Sequence, residues 1–128
     1  MTKVYKRWEI WWVDQNWSRA NTIPVVPGDH TKCYRMYLLT GNQTQLDTGN
    51  EFTCVPVKTE GDKDLAWHIA LNTHDGGVRH PCFIWTNQIY TLPEEAFDNK
   101  VGDLPQPFVE RVLTSTAEFF KIKSRHVV

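Results

Sequence analysis

Apolar positions recur with a period of two through most of the chain up to Tyr90, and with a helical period beyond Pro107. The first alternation runs from Tyr5 to Asp14, where Trp8, Ile10 and Trp12 oppose Arg7, Glu9 and Trp11, and it predicts a strand. A long connection follows, Asn16 to Thr31, carrying Pro24, Pro27 and Gly28. Its length is that of a functional or mobile loop rather than of a tight turn. Cys33 to Leu39 reads as a second strand, with Tyr34, Met36 and Leu38 on one face and Arg35 and Tyr37 on the other. Gly41 to Asn50 is polar turn material, and Glu51 to Val57 is a third strand in which Pro56 marks an edge or an end. Leu65 to Leu71 alternates strictly, Leu65, Trp67, Ile69 and Leu71 against Ala66, His68 and Ala70. After a turn over Asn72 to Gly77, Cys82 to Tyr90 predicts a fifth, largely apolar strand.

Two helices are expected next. Thr91 and Glu94 have capping-box spacing around Pro93, which predicts a short helix over Leu92 to Asp98, and Gly102 then breaks the chain. Pro107 stands where a missing N–H costs a helix nothing. Beyond it, Phe108, Val109, Val112, Leu113, Thr116, Phe119 and Phe120 form one stripe suited to packing on a sheet. The last segment, Lys121 to Val128, is basic and expected to fray as a flexible tail. Strands first and helices last predict an α+β domain around a curved antiparallel sheet. With 128 residues and no internal repeat or linker, one domain over residues 1–128 is the expectation.

Composition narrows the class without choosing a function. Hydrophobic residues at 41% and charged residues at 23% are ordinary for a globular chain. Six Trp argue for a core or binding face built on flat rings. Net charge is −1, so no global field attracts polyanions. The N-terminal third nevertheless leans basic, with Lys3, Lys6, Arg7, Arg19, Lys32 and Arg35 against Glu9, Asp14 and Asp29. Cys33, Cys54 and Cys82 are odd in number and widely spaced, which reads as reduced, mostly buried thiols. No apolar run approaches the ~20 residues of a membrane span and no signal-peptide pattern precedes Tyr5, so a cytoplasmic protein is expected.

A search for reactive constellations excludes more than it finds. His80 and Cys82 are two apart with His68 and His74 nearby, but no second spaced pair completes a tetrahedral metal site. Each cysteine lies in an apolar strand, where a buried thiol is inert. No glycine-rich phosphate loop, paired-carboxylate signature or serine elbow is present.

The order of segments carries more. Trp11 to Asp14 reads Trp-x-Val-Asp before the long loop, and Arg35 stands early in an aliphatic strand. Cys54-Val55-Pro56-Val57-Lys58-Thr59 follows, then Asn87-Gln88-Ile89-Tyr90-Thr91-Leu92 and Val101-Gly102-Asp103-Leu104 ahead of the terminal helix. From Arg7 to Phe120 this resembles the MazF/PemK family, the growth-inhibiting toxins of type II toxin–antitoxin pairs. The resemblance implies an α+β fold: an SH3-like, partly open antiparallel β-barrel of the PemK/CcdB type, with a short helix and a C-terminal helix. It implies a homodimer, metal-independent cleavage of single-stranded RNA with no cofactor, and neutralisation by a cognate antitoxin. The chemistry implied is attack of a ribose 2′-OH on the adjacent phosphate, leaving a cyclic phosphate and a 5′-OH end.

Carried over residue by residue, Arg35 matches the arginine at the scissile phosphate, where a guanidinium can fork across two oxygens. Its ordinary alternative is a strand-surface ion pair. Lys58 aligns with the family's active-site Thr, and Thr59 stands one residue later. Strand alternation predicts that Thr59 turns to the opposite face unless the strand ends there. Gln88 matches the glutamine beside the RNA groove, the alternative being a strand Gln that satisfies backbone groups. Trp17, at the loop mouth, is the expected exposed member of a Trp cluster (Trp8, Trp11, Trp12, Trp17) that is otherwise core. With Arg19 and Lys32 it completes the expected RNA contacts. The family has Gly shortly before its Arg and Pro directly after, where this chain has Cys33 two before and Met36 next. Those departures, and Lys58 in the Thr place, motivate a second reading: a catalytically degenerate protein of the same fold that binds a protein, in the manner of a gyrase inhibitor or regulator.

Overall fold

The computed structural model describes residues 3–14 and 34–127, with side chains in the C-terminal helix described as far as Phe119. Strands β1 (Glu9–Asp14), β2 (Tyr34–Leu39), β3 (Glu51–Lys58), β4 (His68–Leu71), β5 (Cys82–Trp85), β6 (Tyr90–Pro93) and β7 (Phe97–Asp103) form one sheet. Its order is β4-β5-β3-β2-β1-β7, every pairing is antiparallel, and β6 lies along the first half of β3. Helix α1 (Gln43–Thr48) joins β2 to β3, and helix α2 (Gln106–Val127) follows β7.

The central strands are apolar on both sides, and the register shows why. Ile10, Leu38 and Val55 stand in line across β1, β2 and β3, and Val57, Ile84 and Ile69 across β3, β5 and β4. These residues form one core, covered by Leu104 and by Val109 and Val112 of α2. The alternate positions, including Trp11, Tyr37, Leu39 and Cys54, form a second core with Tyr5, Phe52 and Phe97. Tyr5 anchors it with ring centroids 4.7 Å from both Trp11 and Phe52. The sheet is therefore buried on two faces, and its partial closure comes from the β4–β5 connection. There a 3₁₀ turn (Asp75–Gly77) leans on β7. Gly77 at φ +87° and Gly102 inside β7 approach so closely that a Cβ on either would strike the other segment's backbone.

The sequence-predicted elements stand with six corrections. The first strand begins at Glu9, because Trp8 takes φ +74° and ends the alternation. Gly41 to Asn50 is not all turn: Asn42 Oδ1 accepts the Gln45 N–H at 2.9 Å and caps a helix that buries Leu46. The strand predicted over Leu65 to Leu71 begins at His68, since Leu65–Trp67 is taken up by a turn.

The run Cys82 to Tyr90 is broken by Thr86, whose hydroxyl reaches Trp67 C=O at 3.1 Å and Ser115 Oγ at 2.6 Å. The helix predicted over Leu92 to Asp98 is instead the end of β6, one 3₁₀ turn (Glu94–Ala96) and the start of β7. Thr91 pairs with Thr53 and Phe97 with Val13, so pairing between distant strands outweighs the local capping signal. Pro56 is no edge residue either. It sits buried where β3 changes partner, after Cys54 on β6 and before Val57 on β5, a place that requires no N–H on that side.

Candidate active site

Arg35 lies at the start of β2, opposite Val13 of β1. One step beyond the Met36–Val57 pair, the register of β2 against β3 sets Arg35 across from Lys58. Adjacent strands lie about 4.8 Å apart, so two cations share one corner of the sheet. Thr59 and Glu60 follow directly past the end of β3. A cavity of about 250 Å³ at this corner is lined by Arg35, Lys58, Thr59 and Glu60, with Trp12 and Tyr34 on its wall. Thr59, the first residue past the strand, lines this cavity together with Lys58.

The electrostatics follow from this crowding. Burial lowers the Lys58 pKa and the Arg35 charge lowers it further, while Glu60 opposes both. Lys58 Nζ sits 4.1 Å from the centroid of the Trp85 ring, an apolar shelf that still favours a cation. Arg35 has no ion-pair partner among the described residues, so its guanidinium is available to an incoming anion. Trp12 and Tyr34 are 39% and 40% exposed, unusual for rings of that size, and flank the corner with open aromatic surface.

The segment after Thr59 is held in place by two side chains of the neighbouring strands. Trp85 Nε1 donates to the Glu60 carbonyl at 2.8 Å, and the Asp62 N–H donates to His68 Nδ1 at 3.0 Å. His68 stacks on Trp85 with centroids 4.0 Å apart and planes 29° apart. Accepting at Nδ1 requires the neutral imidazole, and burial lowers the His68 pKa, with Asp62 opposing and Lys58 adding to the effect. A neutral imidazole thus pins the backbone that presents Thr59 and Glu60.

Of the residues singled out from sequence, Arg35, Lys58 and Thr59 come together here. Gln88 does not line this cavity. It lies in the turn after β5, its N–H toward Trp85 C=O at 3.4 Å and its Oε1 buried without a partner. Trp17, Arg19 and Lys32, with the loop Asn16 to Thr31 and Cys33, lie outside the described residues. Glu60 and Tyr34 also line the cavity without a distinguishing pattern in the sequence, and Trp12, expected in the core, is exposed. The only signal for Glu60 was its place after Lys58-Thr59. Cys54 and Cys82 are buried and free; burial pushes the Cys54 thiol up, and burial with Asp75 pushes Cys82 up to about 11, so neither is a thiolate at neutral pH. Among the described residues no group of three His, Cys, Asp or Glu is arranged to hold a metal ion, and no helix is long and apolar enough to cross a membrane.

Residues 6–120 match the family described as PemK-like, MazF-like toxin of type II toxin–antitoxin system. No curated protein matches the chain. Solved structures similar to it include the toxin MazF-mt6 of Mycobacterium tuberculosis, at 13% identity and a TM-score of 0.69 over 88% of this chain and 96% of that one. MazF of Deinococcus radiodurans aligns at 13% identity and a TM-score of 0.68, covering 94% and 99%. An endoribonuclease in complex with its cognate antitoxin, from a mycobacterial species, aligns at 13% identity and 0.67 over 91% and 93%. At these identities the structures speak for the fold.

Proposed function

Because the chain belongs to the PemK-like, MazF-like toxins of type II toxin–antitoxin systems, we propose that it is an endoribonuclease cutting single-stranded RNA at the corner between β2 and β3. The observation that carries the reading is that Arg35, Lys58, Thr59 and Glu60 line one cavity. In the reaction the 2′-oxygen attacks the adjacent phosphorus, the P–O5′ bond breaks, and the products end in a 2′,3′-cyclic phosphate and a 5′-OH. Glu60 is the one carboxylate among the described residues lining the cavity, and it accepts the 2′-OH proton. Arg35 forks across two phosphate oxygens, and the Thr59 hydroxyl donates to the charge that develops there. Lys58, made a stronger acid by burial and by Arg35, gives its proton to the departing 5′-oxygen.

These side chains handle every proton and charge in the step, so the reaction is read as metal-independent. Gln88, Trp17, Arg19 and Lys32 are assigned to RNA beyond the scissile phosphate. One domain over 1–128, a homodimer that composes the RNA groove, a cytoplasmic location and a cognate antitoxin as inhibitor belong to the same reading.

The test is incubation of the protein with long single-stranded RNA in excess EDTA, followed by mapping of both fragment ends. Fragments with 5′-OH and cyclic-phosphate ends are expected. Growth arrest on expression, with cellular RNA intact, would transfer the activity to a protein target.

A further inference from the structure

A second cavity, of about 440 Å³, adjoins the cutting corner, and Trp12, Met36 and Thr59 line both. Its far wall brings Arg79 and His80 from the segment entering β5 and Lys100 from β7. The two cations of this wall differ in their partners. Lys100 is held by Glu9 at 2.8 Å and Asp103 at 3.1 Å, whereas Arg79 has no ion-pair partner among the described residues. Arg79 and His80 are exposed, while Val78 and Cys82 give the cavity a buried apolar floor. The space is within the range of small-ligand pockets and exceeds what a phosphate alone would fill. An exposed indole, an apolar floor, one imidazole and one open guanidinium match an unstacked nucleotide: a flat ring, an edge to read and a charge at its far end.

Resting on the endoribonuclease reading, we infer that this cavity is the subsite for the nucleotide next to the scissile phosphate. Its base stacks on Trp12, its edge is read by His80, and its outer phosphate meets Arg79. Thr59, common to both cavities, sits at the junction between cutting and reading.

The experiment compares wild type, Trp12→Ala and His80→Ala on long single-stranded RNA, mapping cut sites and measuring KM and kcat. It also measures binding of an oligonucleotide made uncleavable by 2′-fluoro substitution. Trp12→Ala is expected to raise KM and the oligonucleotide Kd roughly tenfold or more, the usual effect of losing one stacking platform, with a smaller change in kcat. His80→Ala, an exposed change that leaves the core intact, is expected to flatten base preference at a single position beside the cut. If His80→Ala keeps the wild-type cut-site preference and its oligonucleotide Kd, and any folded Trp12→Ala does the same, the subsite is wrong while the endoribonuclease stands. If wild type neither cuts RNA nor binds the oligonucleotide, both fall together.

Discussion

Arg35 stands one strand away from Lys58 and forms no ion pair among the described residues, an arrangement that costs the fold something and serves an anion. Replacing Arg35 with Ala is expected to slow RNA cleavage by about 10²–10³, the usual loss for one donor aimed at developing charge. Arg35→Lys should recover only part, since the fork is gone. Thermal melting of both variants should stay near wild type, because no ion pair is broken. Lys58 offers a second check. Its proton is expected to leave below the ordinary lysine range, and Arg35→Gln should move that titration upward, as followed by NMR of the side-chain amine. At this scale the chain was partly readable. Arg35 was visible as a single charge in an apolar strand, and Lys58-Thr59 by segment order. Glu60 was hidden because a carboxylate in a polar turn looks like any other, and Trp12 because alternation cannot say where a sheet face meets solvent.

Among the elements, β1, β2 and β3 were legible from alternation, and α2 from its stripe and Pro107. What was missed shares one cause. β6 and β7 owe their form to partners far away in the chain, and a capping box over Thr91 and Glu94 cannot register that Phe97 is needed opposite Val13. Gly102, read as a breaker, is a strand residue whose small size admits the β4–β5 turn. Gly102→Val should therefore destabilise the fold by about 1–3 kcal/mol in denaturant titrations, since the obstacle is backbone rather than a movable side chain. The break after β5 had a visible trace in Thr86-Asn87-Gln88, three polar residues inside an apolar run.

For the molecule as a whole, the second core makes stability sensitive to alkali. Tyr5 and Tyr37 are raised by burial from 10.0 to about 12. The unfolded chain therefore releases these protons first, and their contribution is complete below pH 10.0 and lost as pH rises through about 12. Cys82, raised from 9.0 to about 11, acts in the same sense, while the lowered Lys58 opposes it. The denaturant midpoint is expected to fall steadily between these limits, and Tyr37→Phe to reduce the fall. The pairing of β1 with β7 has another consequence, in the time order of synthesis. Glu9 meets Asp103, so the outer edge of β1 stays open until a strand made near the end of translation arrives. At ~5–20 residues per second that wait is on the order of 5–20 s. On a ribosome the residues of the cutting corner have all been made once Glu60 is added, well before the sheet that carries them can close.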